Sequence, residues 1–150
     1  ITVFAHLDIP ISDKLHTVGR LDLDTSGLLL ITDDGQWSHR ITSPKYKCPK
    51  VYHAWLAEPL NAADIEAFAQ GLQLTGETTL TAPAVLDIIN EREALVHVHE
   101  GRYHQVRRMF AAVGNNVVKL HREQVGPLSL DADLTPGDYR FLTAAEVALF

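Results

Sequence analysis

Cysteine is almost missing from this chain. Cys48 stands alone among 150 residues, so no internal disulfide can form. That usage fits a reducing compartment, and the chain is expected to be cytoplasmic. Long apolar runs are missing as well. No stretch approaches the roughly 20 residues that a membrane span needs, and no secretory signal is visible, so no membrane partner is expected. No repeat, low-complexity tract or linker divides the sequence. What remains, 150 residues with 46% hydrophobic content, suffices for one domain with a real core. The chain opens on Ile1, without a Met, inside what reads as ordinary domain sequence. It is expected to be a fragment of a longer protein.

Acidic residues are missing from two windows, and this matters more than the net charge of −6. Residues 35–57 contain none, while Arg40, Lys45, Lys47 and Lys50 contribute +4. Residues 101–122 contain none, while Arg102, Arg107, Arg108, Lys119 and Arg122 contribute +5. The other 105 residues hold four basic and all 19 acidic side chains, a balance of −15. A polyanion responds to the local field rather than to the sum. If both windows fold onto one face, that face is an electrostatic footprint for nucleic acid. If they never meet, they are two solvated surfaces.

Strand-like runs lie at 15–21, 28–32, 51–57, 84–89, 94–99 and 116–121. Helices interrupt them irregularly. Asp33-Asp34-Gly35-Gln36 reads as an N-cap with Gln in the third helical position, followed by core-facing Trp37 and Ile41. Asn61 caps a second helix with Ile65, Phe68, Ala69 and Leu72 on one face. A third helix carries Val106, Met109, Phe110 and Val113 and stops at Gly114-Asn115. Thr143-Ala144-Ala145-Glu146 is a capping box for a terminal helix. This order is no regular βαβ alternation. It predicts an α+β domain with a largely antiparallel mixed sheet flanked by helices.

Three places carry candidate chemistry. In Gly19-Arg20-Leu21-Asp22-Leu23-Asp24-Thr25-Ser26-Gly27-Leu28, a Thr-Ser-Gly turn between strand-like segments would display a carboxylate rigidly. Asp24, nearer that turn, reads as its cap. Lys50-Val51-Tyr52 opens a strand. Glu100-Gly101-Arg102-Tyr103-His104-Gln105-Val106-Arg107-Arg108-Met109 passes from strand to helix, where free backbone N–H groups can face phosphate. Arg107 sits about 100° round from Val106, at the edge of the apolar stripe, and can lean into a cleft while Arg108 points elsewhere. His97 and His99 share one strand face, but they lack the Cys partners or helical His pair of a zinc site, and no metal is expected.

These three places resemble motifs II, IIa and III of the RNA pseudouridine synthases, in the RsuA-type branch that acts on ribosomal RNA. The first matches that family's GRLD-x-x-T-[ST]-G-L pattern throughout. The likeness extends through 32–44 and the tail 134–143, and Gly35-Gln36-Trp37-Ser38-His39-Arg40 is most similar to the 16S-specific members. The resemblance implies the pseudouridine synthase fold and the isomerisation of a specific uridine in 16S rRNA, uridine 516. It implies that Asp22 attacks the nucleoside, that Tyr52 stacks on a flipped uracil, and that Arg107 pairs with Asp22. It places Arg20 near the RNA. The basic windows add Arg40, Lys50, Arg102, Arg108 and Arg122 as RNA contacts, with His104 at the loop or on a phosphate. The implied reaction needs no metal or organic cofactor. The partner is 16S rRNA within an assembling small subunit, and the protein is expected to be monomeric. Residues 1–150 correspond to the catalytic domain; the family's upstream Lys-Pro-x-Gly strand and its S4 domain are not in the sequence. Three alternatives stay open: a synthase acting on 23S rRNA, a catalytically silent RNA-binding module in ribosome assembly, and a glycosidase using paired carboxylates such as Asp22 with Asp24 or Glu100.

Overall fold

A computed structural model describes residues 2–46 and 48–150. Lys47, counted in the first basic window, lies outside them. After a 3₁₀ turn at Val3–His6, the chain forms β1 (His16–Val18), β2 (Thr25–Gly27), β3 (Leu30–Thr32) and α1 (Gly35–Thr42). A second 3₁₀ turn, Pro44–Tyr46, precedes β4 (Lys50–Leu56) and α2 (Ala62–Gln70). Then follow β5 (Val85–Asn90), β6 (Glu93–Val98), α3 (Gln105–Ala112), β7 (Val117–Val125), β8 (Leu128–Ser129) and α4 (Ala144–Val147). No helix is long and apolar enough to cross a membrane among the described residues.

The main sheet runs β2-β7-β4-β6-β5, with β8 beside β2 on the same edge of β7. Only β2 on β7 is parallel; the other pairs are antiparallel. A separate ribbon pairs β1 with β3. The α+β reading with a mixed, mostly antiparallel sheet therefore holds.

Period-2 alternation divides the sheet into two faces. Ala54, Leu56, Leu86, Ala94, Val96 and Leu120 meet Phe68 of α2 and Met109 and Phe110 of α3 in the larger core. The rings of Phe68 and Phe110 lie 4.9 Å apart and are fully buried, which stabilises by roughly 1.5–3 kcal/mol each. The opposite face carries His53 stacked on Trp55, with the Lys119 ammonium over the Trp55 ring. A second core joins the ribbon to α1 through Val18, Leu28, Leu30, Trp37 and Ile41.

Four local expectations shift. The cap of α1 is Asp34, one residue later than expected; its carboxylate accepts from the N–H groups of Gln36 and Trp37. On α2 the buried line is Asp64 and Phe68, while Ile65 and Ala69 face outward. The reciprocal Asn61–Asp64 capping box fixes this rotation. Strand β7 runs on to Val125, because β4 on one side and β2 then β8 on the other pair along it. Finally, Thr25-Ser26-Gly27 is not a turn but strand β2; the turn is Asp22-Leu23-Asp24-Thr25, closed by the Thr25 N–H donating to the Asp22 carbonyl at 2.9 Å.

Candidate active site

The loop carrying Asp22 is held at both ends by one side chain. Arg122 of β7 is only 3% exposed. Its Nε donates to the Leu28 carbonyl at 2.9 Å, beyond the loop, and its Nη1 to the Arg20 carbonyl at 3.4 Å, before it. The Leu28 N–H returns a bond to the Arg122 carbonyl at 2.8 Å. Between them, Gly27 has φ +120, and a Cβ there would lie 2.2 Å from the Arg122 carbonyl oxygen. Only glycine lets the two backbones approach so closely. Arg122 was expected to touch RNA. The structure instead buries it and uses its donors on carbonyls, because the parallel β2–β7 junction leaves them without strand partners.

From the other side, α3 reaches the same loop. His104 is the N-cap of α3 and has φ +47, the left-handed region, alone among the described non-glycine residues. Its Nε2 lies 3.6 Å from Asp22 Oδ1, and its ring stacks at 3.9 Å on Tyr103, which is 75% exposed. Arg107 donates from Nη2 to the Asp24 carbonyl at 3.1 Å and from Nη1 to the Val117 carbonyl at 3.4 Å. Its Nε is 3.4 Å from Asp24 Oδ1. The expected Arg107–Asp22 pair is thus an Arg107–Asp24 pair, and Asp22 faces His104. The turn sends the two carboxylates to different partners. Arg107 Nε and Thr25 Oγ1 are buried here without a hydrogen-bond partner among the described residues.

Tyr52 enters by register. It is half-buried against the larger core, opposite Val96 of β6 and Arg122 of β7. Cross-strand partners point to one face, so its ring stands over the arginine that grips the Asp22 loop. The two basic windows do meet, since β4 and β7 are neighbours. Lys50 donates to the Cys48 carbonyl at 3.3 Å. Burial pushes its ammonium below the ordinary lysine value, and the Arg122 charge acts in the same direction.

Two more expected RNA contacts are committed inside the protein. Arg102 donates to the carbonyls of Thr79 and Leu80 and pairs with Glu100 at 3.2 Å. Arg108 donates to Glu77 and to the carbonyls of Thr75 and Tyr103. Both fasten the 75–80 loop to the start of α3. Arg20 and Arg40 remain exposed.

Two residues escaped the sequence reading. Gln105, buried, accepts from the Arg102 N–H and donates to Glu100, which also accepts from the Ala82 N–H. Burial raises the Glu100 carboxyl, yet these donors and Arg102 hold it below the usual carboxylate value. Thr25 is the other, its hydroxyl buried beside the Asp22 turn that its own N–H closes. Both lie inside the quoted motifs, but no spacing rule marks a buried amide or hydroxyl.

A cavity of about 240 Å³ lies between the end of α1, Lys50 and the β6–α3 loop. A larger one, about 610 Å³, lies by the second core and is lined by Leu21, Leu28, Trp37 and Leu142; Asp22, Tyr52 and Arg107 line neither cavity.

The sequence profile of the family described as RNA pseudouridylate synthase matches residues 2–112. The ribosomal small subunit pseudouridine synthase A of Vibrio cholerae serotype O1 is 60% identical over 98% of this chain. Its counterpart in Escherichia coli strain K12 is 57% identical over the same share. The chain spans 64% of the length of either relative. A crystal structure of a pseudouridylate synthase superposes with a TM-score of 0.96 at 51% identity, covering 99% of this chain and 65% of that one. With its fold, its motif order and its profile in agreement, the chain belongs to the RNA pseudouridylate synthase family.

Proposed function

We propose that this chain is the catalytic domain of an enzyme that converts a uridine of 16S rRNA, uridine 516 by family resemblance, into pseudouridine. The observation that carries the reading is the Asp22 loop, stapled by Arg122 from below and approached by His104 and Arg107 of α3. A carboxylate needs such restraint to act on a sugar or base in a defined direction. The names of the small-subunit relatives support the choice of RNA.

The reaction breaks the N–C glycosidic bond and forms a C–C bond at C5 without net redox change. Asp22 acts as nucleophile or stabilises the sugar cation, as glycosidase carboxylates do. Tyr52 offers a ring face to a uracil extruded from its stack. Arg107 holds the loop through Asp24 and keeps positive charge beside the reacting carboxylate when RNA excludes water. Arg20, Arg40, Lys50 and His104 face the RNA; Arg102 and Arg108 act on it through the loop they anchor. The enzyme works as a monomer in the cytoplasm on an assembling small subunit.

The test is carbodiimide-adduct mapping of 16S rRNA after treatment with the full-length protein. The wild type should mark one uridine. Asp22→Asn keeps shape and loses charge, and should lower product formation by roughly 10⁴-fold or more while RNA affinity stays within a few fold. Substantial product from Asp22→Asn would sink the assignment.

A further inference from the structure

We propose that the hollow between the end of α1 and the β6–α3 loop is a phosphate subsite for the RNA linkage beside the target nucleotide, with Lys50 as its cation and Ser43 and His99 as its hydrogen-bonding groups. This deepens, and rests on, the RNA-modifying function proposed above.

The hollow holds about 240 Å³, room for a phosphodiester with part of its sugar. Lys50, Ser43 and His99 line it. The half-buried Lys50 ammonium has one hydrogen bond, to the Cys48 carbonyl, and pairs with no carboxylate among the described residues. On the paired strand β7, Arg122 adds a second cation that lowers the Lys50 ammonium further and is likewise bonded to carbonyls alone. Two cations side by side in a partly dry setting repel, and the repulsion is relieved by an anion.

The protein does not supply that anion. Glu100 lines the hollow, but its carboxylate is taken by Arg102, Gln105 and the Ala82 N–H. The C-terminal carbonyls of α1 lie close, yet a helix end is worth only about half a charge. The Ser43 hydroxyl and the His99 ring make no hydrogen bond among the described residues, and His99 is exposed to an incoming group.

Placement identifies which phosphate. Arg102, on the rim, is two residues before His104, whose ring is 3.6 Å from Asp22. Two residues span at most about 7 Å. Allowing for the side chains, a linkage seated in the hollow would lie within about two nucleotides of the target. Lys50 also stands two residues before Tyr52 on β4, so one strand would hold the phosphate and stack the base.

The experiment uses the full-length protein and a 16S rRNA hairpin carrying the target uridine. Each linkage within two nucleotides of the target is replaced in turn by an uncharged methylphosphonate, and affinity is measured across a salt series. In the wild type one linkage should lose about tenfold in affinity when neutralised. In Lys50→Gln the unmodified hairpin should bind about tenfold more weakly, with the salt slope flattened by about 0.7–0.9, and the same methylphosphonate should be silent. Lys50→Arg should restore the sensitivity. Ser43→Ala and His99→Gln should each reduce it at that linkage and at no other, and they carry the scan if Lys50→Gln fails to fold. The proposal is overturned if no linkage is sensitive, if Lys50→Gln keeps the wild-type pattern, or if neither Ser43→Ala nor His99→Gln alters it. Pseudouridine formation is read separately on the unmodified hairpin. Its absence would remove the functional reading and leave the linkage pattern to decide the subsite.

Discussion

Arg122 and Arg107 show how two arginines of one basic window come to do different work. Arg122 bonds two carbonyls from a buried position, so its loss leaves both unsatisfied and opens a cavity under Tyr52. Arg122→Ala should lower stability by roughly 2–4 kcal/mol. A direct phosphate contact would instead flatten the salt dependence of RNA binding by about one unit. Denaturant unfolding together with a salt series separates the two, and an unchanged fold with a flattened slope would return Arg122 to the RNA surface. Arg107 pairs with Asp24, whose side chain is largely exposed, so Asp24→Asn should change stability by less than about 1 kcal/mol. Its effect should fall on turnover, because the Asp22 turn loses a tether. Single-turnover kinetics beside affinity measurements would show it, and equal kinetics in Asp24→Asn and wild type would mean the pair does not position the loop.

At the scale of elements, the decisive piece is the three-residue strand β2. It reads in sequence as a Gly turn, since Thr-Ser-Gly has turn chemistry and no length. It becomes a strand because β7, far along the chain, offers a parallel edge at Leu120 to Arg122. Gly27→Ala would force a Cβ against the Arg122 carbonyl and strain a positive φ. We expect a loss of roughly 3 kcal/mol or more, with turnover falling because the Asp22 loop must shift. A thermal melt near that of wild type would show that β2 is not held as described. The helices were legible by contrast. Periodicity and capping signals are local, so the apolar face of α3, its stop at Gly114 and the Thr143–Glu146 box could be read directly. The face of α2 was misjudged by one residue because a reciprocal cap, not periodicity, sets its rotation.

For the whole molecule, the tail is tied down by charge. Arg140 bridges Asp131 and Glu146, the latter at 2.7 Å, joining the segment after β8 to α4. The bond from Arg140 lowers the Glu146 carboxyl to about 2, aided by the Thr143 N–H. A depressed carboxyl stabilises fully above its unfolded value, near 4.5, and loses that contribution as pH falls through about 2. The protection of α4 amides, relative to their intrinsic exchange rates, should therefore fall between about pH 4.5 and 2, and Glu146→Gln should remove that fall. Equal pH profiles for the two proteins would contradict the tie.

The sequence by itself determined the kind of chain and the family. Motif residues, helix periodicity, caps and the acid-free windows are all properties of neighbours in the chain, and they were readable without coordinates. Tertiary structure alone decided which charges are free. Whether Arg102, Arg108 and Arg122 face RNA or hold loops depends on carbonyls 22 to 102 residues away. So does the exchange of partners that gives Arg107 to Asp24 and leaves Asp22 to His104. A guanidinium's role is set by whichever acceptors the fold brings within 3.5 Å, and no local pattern encodes that distance.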